Sequence, residues 1–265
     1  MIRLIATDLD GTLLNNEHKI SDYNKKIISA VNEKGIKFIL STGRPTSAAT
    51  KFLEDLNIET DMISFNGAMI TDRKGNILYE DNLESHIGKE LIEIAKKYKV
   101  YYQGFLGERW NLSDSKSKWL YFYISIAKIN NYKLGFDNIK DFSFSKFMFI
   151  GENHILKEIA KEIDKKLKDK VYYTFSRPVY LEVHSPKVSK ANALSFLLKK
   201  YNIERENIMA FGDNNNDIEM LELAKISVAV ENAESIVKEK AKYITKSNIE
   251  NGVGYFINEY FNLGL

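Results

Sequence analysis

The sequence predicts an α/β protein with a parallel-sheet core domain and an inserted α+β domain. At both ends of the chain, short apolar runs alternate with amphipathic helical stretches, which is typical of parallel strands joined by right-handed crossover helices. Between these ends the order of strands and helices changes. A chain of 265 residues is also long enough for two domains of ordinary size.

The N-terminal part has the pattern of a βαβαβ series that ends in a hairpin. Ser21 is the expected N-cap of the first helix, and Gly35 stands just beyond its end. The expected elements are strand 2–7, helix 22–34, strand 36–40, helix 46–56, strand 62–65 and a hairpin over 68–80.

Residues 85–185 are expected to form the inserted domain, and residues 1–84 and 186–265 to form one core domain from both ends of the chain. The insert is expected to contain helix 88–98, two strands within 100–112, an aromatic helix 116–129, strand 146–150, helix 154–168 and paired strands within 171–184. After Pro186 the expected elements are helix 190–201, strand 207–211, helix 216–224, strand 226–230, helix 234–240, a short strand near 243 and helix 252–261.

The composition argues against several classes of protein. The 38 basic residues nearly balance the 36 acidic ones, whereas a nucleic-acid binder usually has a larger and more clustered excess of Lys and Arg. The absence of Cys excludes disulfides, thiol catalysis and Cys-ligated metals. The apolar runs are too short for a signal peptide or a membrane span. We therefore expect a cytoplasmic protein that binds neither membrane nor nucleic acid, with a monomer as the default.

Four polar clusters follow expected strands or begin an expected helix. Each has an ordinary explanation by itself, as a turn, a cap or a surface residue. Ligands of open parallel sheets, however, bind at the carboxyl ends of the strands. The clusters are Asp8-Leu9-Asp10-Gly11-Thr12, Ser41-Thr42-Gly43-Arg44, Lys190 and Gly212-Asp213-Asn214-Asn215-Asn216-Asp217.

The acidic residues of these clusters indicate a cation. Asp8, Asp10, Asp213 and Asp217 would converge at one sheet edge, where like charges repel each other. Mg²⁺, which prefers oxygen ligands, would neutralise them together with Lys190. The hydroxyl and backbone N–H groups of the second cluster suit an anion. A phosphate would complete the charge balance.

The segments DLDGTLL, LSTGRP, VSKANAL and GDNNND, in this order, resemble the four motifs of the haloacid dehalogenase superfamily. The similarity is greatest to its Cof-type sugar-phosphate phosphatases, and it implies a Rossmann-like core. Ala191 departs from the pattern, because the family usually has Gly there. The long interval between Thr42 and Lys190 implies that the insert is the type-II cap of that group, since the interval between Thr12 and Ser41 holds only a helix and a strand.

The resemblance implies a role for each motif residue. Asp8 would attack phosphorus and become an aspartyl-phosphate, Asp10 would protonate the leaving alcohol and then activate water, and Lys190 would neutralise charge on Asp8 and the phosphate. The implied substrate-binding residues are Leu9, Thr42, Gly43, Arg44, Asn66, Lys190 and Asn216. The implied residues of a Mg²⁺ site are Asp8, Asp10 through its carbonyl, Asp213 and Asp217.

The function expected from these residues is magnesium-dependent hydrolysis of small phosphorylated metabolites, with sugar phosphates as the default. A phosphomutase of the phosphomannomutase type is an alternative, because it shares the nucleophile and the cap position. A non-catalytic sensor of a phosphometabolite is a further alternative, but it has no need of the pair Asp8 and Asp10. Within the insert, Tyr101-Tyr102-Gln103 is the candidate strand for substrate choice.

Overall fold

A computed structural model describes residues 1–127 and 129–265 of the chain. They divide into two compact units, one formed by Met1–Tyr79 with Ser189–Leu265 and the other by Glu80–Val188. The second unit begins at Glu80 rather than at 85 and ends at Val188 rather than at 185. The expected α/β class is confirmed.

The helices and strands are numbered in chain order. The first part of the chain contains β1 (Leu4–Thr7), α1 (Asp22–Glu33), β2 (Lys37–Ser41), α2 (Thr46–Leu56), β3 (Met62–Ser64), β4 (Met69–Thr71) and β5 (Ile77–Glu80). The middle contains α3 (Ser85–Tyr98), β6 (Tyr101–Leu106), β7 (Arg109–Leu112), α4 (Lys118–Ala127), β8 (Lys133–Leu134), β9 (Lys146–Ile150), α5 (Asn153–Leu167), β10 (Tyr172–Arg177) and β11 (Tyr180–His184). The last part contains α6 (Lys190–Tyr201), β12 (Ile208–Gly212), α7 (Ile218–Leu223), β13 (Ile226–Ala229), α8 (Ser235–Lys240), β14 (Tyr243–Ile244) and α9 (Gly252–Phe261).

Several elements differ from the sequence prediction, among them α3, which begins at Ser85 rather than at 88. Strand β8 was not expected, because its two residues are exposed and carry no apolar alternation. The expected helix 216–224 is a 3₁₀ turn over Asn215–Asp217 followed by α7. The expected helix 116–129 begins later, at Lys118, and residue 128 of that prediction lies outside the described residues.

The first unit is built on a sheet with the strand order β14-β13-β12-β1-β2-β3-β4-β5. The strands from β14 to β3 are parallel, and β4 runs antiparallel to β3. Strand β1 pairs with β12 on one side and with β2 on the other. Because β1 is covered on both faces and both edges, all four of its residues are buried.

Helices cover both faces of this sheet. On one face, Ile5 packs in a cluster with residues of α1, α2 and α9, such as Ile28, Phe52 and Ile257. On the other face, Leu4 and Ala6 pack with residues of α6, α7 and α8. The parallel direction brings the carboxyl ends of β1, β2 and β12 to the same edge of the sheet. Within the described residues, no helix has the length and apolar content needed to cross a membrane.

The second unit has a sheet with the order β10-β11-β9-β6-β7-β8. One face is apolar and is covered by α3 and α5, whose side chains pack against Phe147, Phe149, Leu181 and Val183. Tyr102 belongs to this face. By the alternation of a strand, Tyr101 and Gln103 lie on the opposite face, and both are buried.

The opposite face contains a buried ion pair. The amino group of Lys146 lies 2.5 Å from a carboxylate oxygen of Glu182, and both side chains are less than a tenth exposed. His184, which is also buried, lies beside Glu182. Burial alone would raise the pKa of Glu182, but the charge of Lys146 and the contact with His184 outweigh it and lower the pKa to about 2.

This ion pair gives a prediction for stability. Glu182→Gln should lower the free energy of unfolding by about 3–5 kcal/mol, because it removes the carboxylate charge that faces the buried ammonium of Lys146. The double variant Lys146→Met/Glu182→Leu should lose less stability than Glu182→Gln alone, because it removes both buried charges. Urea denaturation measures both. Glu158→Gln is the control, since Glu158 forms an exposed pair with Lys161 and should change stability little. A Glu182→Gln variant as stable as the control would contradict the conclusion that Glu182 neutralises the buried charge of Lys146.

Candidate active site

Asp8 follows β1 directly and lies at the carboxyl edge of the sheet. Its backbone N–H donates to the carbonyl of Phe211 in β12, so the last rung of the parallel ladder fixes its position. Its side chain is only 8% exposed. The turn that follows requires Gly11, whose φ of 85° is in the left-handed region. A Cβ atom there would lie 2.4 Å from a carboxylate oxygen of Asp213.

Lys190 neutralises two buried carboxylates. Its Nζ atom donates to Oδ1 of Asp8 at 2.5 Å and to Oδ1 of Asp217 at 2.6 Å, and its side chain is fully buried. Lys190 is the first residue of α6, and Ser189 caps that helix by accepting from the backbone N–H of Asn192. Helix capping and ion pairing therefore fix the same residue.

The loop after β12 is tied together by Asp217. Its Oδ2 atom accepts from the backbone N–H groups of Asp213 and Asn214, at 3.0 Å and 3.1 Å. Asp213 accepts a hydrogen bond of 2.7 Å from the Thr12 hydroxyl. This contact joins the loop after β12 to the loop after β1.

The pKa values of this cluster reflect the burial of like charges. Burial raises the pKa of Asp8 well above its usual range, and the charge of Lys190 opposes that effect. Burial, together with the charge of Asp217, raises the pKa of Asp213 to about 6. Burial would lower the pKa of Lys190, but the charges of Asp217 and Asp8 outweigh it and raise the pKa. Lys190 alone therefore supplies too little positive charge for the carboxylates around it.

The donor set of this cluster fits a hard cation. One carboxylate oxygen each of Asp8, Asp213 and Asp217 lie within 4.8 Å of one another. Because Asp217 already accepts from Lys190 and from two backbone N–H groups, Asp8 and Asp213 are the side chains suited to bind a cation directly. Carboxylate oxygens are ligands that Mg²⁺ prefers.

Thr42, Gly43 and Asn66 lie together beside the acidic cluster. Asn66 donates its backbone N–H to the Thr42 carbonyl, and its side-chain oxygen accepts from Asn216 at 2.9 Å. A Cβ atom on residue 43 would lie 2.7 Å from this Asn66 oxygen, so Gly43 permits the close approach. Four of the predicted substrate-binding residues, Thr42, Gly43, Asn66 and Asn216, are thus brought together. The Leu9 side chain is buried in the core, so only its backbone can contribute.

Asp10 and Arg44 form a pair at the edge of this cluster. The Nε and Nη2 atoms of Arg44 donate to Oδ2 and Oδ1 of Asp10, each at 2.6 Å. His18 lies 3.7 Å from the same carboxylate and is 59% exposed. Within residues 1–127 and 129–265, the Asp10 side chain is not part of the acidic cluster. Its predicted metal contact through the backbone carbonyl stays a prediction.

The structure adds contacts from residues to which the sequence prediction gave no role. Thr12 hydrogen-bonds to Asp213, Asn232 donates to the Gly11 carbonyl, and Glu234 accepts from Asn215. Asn232 and Glu234 follow β13, which lies next to β12 in the parallel sheet. Their position after a predicted strand was the signal that could have identified them.

Comparison with known proteins places the chain in a family. The model of the haloacid dehalogenase-like hydrolase family matches residues 5–257. Among curated relatives, 5-amino-6-(5-phospho-D-ribitylamino)uracil phosphatase YcsE of Bacillus subtilis (strain 168) is 34% identical over 260 residues, which cover 98% of this chain and 96% of the relative. Putative phosphatase YxeH of the same organism is 32% identical over 267 residues, with 98% of each chain covered.

A solved structure agrees with these relatives. A haloacid dehalogenase-like hydrolase from Bacteroides thetaiotaomicron superposes with a TM-score of 0.91 at 29% identity, covering 98% of this chain and all of that one. The match to the family model includes Asp8, Lys190 and Asp213. The chain therefore belongs to the haloacid dehalogenase-like hydrolase family and is an enzyme of the phosphatase type.

Proposed function

We propose that the protein is a magnesium-dependent phosphatase that hydrolyses small phosphorylated metabolites through a phosphorylated Asp8. The observation that carries this proposal is the Lys190 amino group, which bridges Asp8 and Asp217 in a buried cluster of acids. A carboxylate can approach a phosphate dianion only when cations cancel their repulsion. Lys190 supplies one such charge next to the attacking group.

Thr42, the backbone N–H groups of Leu9 and Gly43, and Lys190 would hold the phosphoryl oxygens. The side chains of Asn66 and Asn216 form a hydrogen bond with each other. This contact would fix the loops that surround the phosphate. Hydrogen-bond donors fixed in this way stabilise the charge that develops on the phosphoryl oxygens during transfer.

In the first step, an oxygen of Asp8 would form a bond to phosphorus while the bond from phosphorus to the leaving oxygen breaks. Asp10 would give its proton to that oxygen, so the product leaves as an alcohol. In the second step, Asp10 would take a proton from water as the water oxygen attacks phosphorus. The bond from phosphorus to Asp8 then breaks, which releases inorganic phosphate and restores the carboxylate.

Mg²⁺ would be held by the side chains of Asp8 and Asp213 and by the Asp10 carbonyl. Its chemistry when bound is to neutralise charge on the phosphoryl group and to orient it toward Asp8. Asp217 would act through the loop, because Lys190 and two backbone N–H groups already engage its oxygens.

Sugar phosphates and phosphorylated sugar alcohols are the proposed substrates. The relative YcsE is named for a phosphate ester on a ribityl chain. Phosphate release from a panel that contains this ester, glucose 6-phosphate and mannose 6-phosphate, without a bisphosphate activator, tests the proposal. Activity that requires a bisphosphate would instead support a phosphomutase.

Asp8→Asn should lower kcat by at least about a thousandfold, which corresponds to roughly 4 kcal/mol of barrier, because an amide oxygen is a poor nucleophile. The matched control is Asp61→Asn. Asp61 is another buried carboxylate of the same unit, and it accepts hydrogen bonds from Lys200 and Tyr201. It directly precedes β3 and so lies at the amino end of that strand, away from the edge that contains Asp8. The control should keep its activity, whatever stability it loses. An Asp8→Asn variant as active as the control would contradict the role of Asp8.

Asp213→Asn should raise the melting temperature of the metal-free protein at pH 8. The folded-state pKa of Asp213 is about 6, against an ordinary value of 3.8. The buried charge of Asp213 therefore lowers the free energy of unfolding by an amount that depends on pH. This loss is absent below about pH 4, grows between about pH 4 and 6, and is complete above about pH 6. The advantage of the Asn variant should narrow accordingly as the pH falls to 4.

The same two proteins test the metal site by thermal denaturation. Mg²⁺ should raise the melting temperature of the wild type at pH 8 and have much less effect on Asp213→Asn, because the variant replaces a charged carboxylate ligand with a neutral amide. Chelator should also abolish turnover by the wild type. Equal stabilisation of both proteins by Mg²⁺ would place the cation elsewhere.

A further inference from the structure

The contact between Arg44 and Asp10 has the geometry of a positioning device. Two nitrogen atoms of one guanidinium donate to the two oxygens of one carboxylate, each at 2.6 Å. Such a fork fixes both the position and the plane of the carboxylate, which a single hydrogen bond does not do. The two residues are 34 positions apart in sequence and belong to the loops after β1 and β2.

Arg44 itself is firmly placed. Its backbone N–H donates to the Thr42 hydroxyl, and its carbonyl accepts from the backbone N–H of Phe65. Its guanidinium carbon lies 5.3 Å from the centre of the Phe52 ring, and its side chain is 11% exposed. The Asp10 side chain, by contrast, is 43% exposed. The more buried partner therefore orients the more exposed one.

The orientation of Asp10 matters because a proton must pass between its carboxyl group and the leaving oxygen or water. A carboxylate has about four lone-pair sites, so each oxygen that accepts one N–H group from Arg44 keeps a site for this exchange. A carboxyl group free to rotate would meet the leaving oxygen in the correct geometry only part of the time.

We propose that Arg44 is a positioning residue for proton transfer, which acts by fixing the plane of the Asp10 carboxylate. This inference rests on the proposed role of Asp10 in the phosphatase reaction. It differs from the interpretation of Arg44 as a phosphate-binding residue in one measurable respect. A residue that binds phosphate helps all phosphate esters equally, whereas a residue that positions the acid helps only esters whose leaving group needs a proton.

The test compares two substrates by kcat/KM, which covers the steps up to release of the alcohol. A sugar phosphate has a poor leaving group, whereas the leaving group of p-nitrophenyl phosphate departs without a proton. Arg44→Gln should lower kcat/KM about ten- to a hundredfold for the sugar phosphate and less than about threefold for p-nitrophenyl phosphate. Arg44→Lys should resemble Arg44→Gln, because it keeps the charge but loses the fork.

A double-mutant cycle separates an effect through Asp10 from a general one. In an Asp10→Ala background, Arg44→Gln should lower kcat/KM for the sugar phosphate less than about threefold. The reason is that the carboxylate that Arg44 positions is already absent. Arg73→Gln is the control, since Arg73 forms an ion pair with Glu59 in the same unit. Arg73→Gln should leave kcat/KM unchanged for both substrates.

The outcomes distinguish this inference from the proposed function. Equal losses for both substrates, or no loss for either, would overturn the positioning role while the wild type remains an active phosphatase. Full additivity in the Asp10→Ala background would also overturn it. A wild type inactive on both esters would instead overturn the proposed function itself.

Discussion

The site depends on one interaction, the contact of the Lys190 amino group with Asp8 and Asp217. Two carboxylates buried at one edge of a sheet repel each other, and burial raises the pKa of Asp8 in spite of the nearby cation. Lys190 holds both acids at hydrogen-bonding distance and is itself fixed as the first residue of a capped helix. The charge deficit that Lys190 leaves is what a divalent cation would fill.

The topology of the sheet explains why residues so distant in sequence meet. Strands β1, β2 and β12 are parallel neighbours, so the loops after them open at one edge. Hydrogen bonds between loops then fix the geometry of the site. Thr12 donates to Asp213, and Asn216 donates to Asn66. Rigid strands thus position a site that lies on loops, and a shift of one loop would alter several contacts at once.

Much of this arrangement could be predicted from the sequence, because apolar runs and the polar residues that follow them mark strand ends. The partner of Arg44 could not be predicted, since a guanidinium suits a phosphate and a carboxylate equally well. The roles of Asn232 and Glu234 were missed because their loop carries no motif, only a position after β13. Strand β8 was missed because pairing with β7, not apolar alternation, makes it a strand.

The central claim is that Asp8 is the group that becomes phosphorylated, and chemical trapping tests it most directly. Borohydride reduces an acyl phosphate to an alcohol, so an enzyme quenched during turnover should yield a peptide with homoserine in place of Asp8. Mass spectrometry of the digested protein identifies the position. The account predicts this product at residue 8 with substrate and Mg²⁺, and not without substrate. Reduction at another residue, or an unmodified residue 8 when the intermediate accumulates, would contradict it.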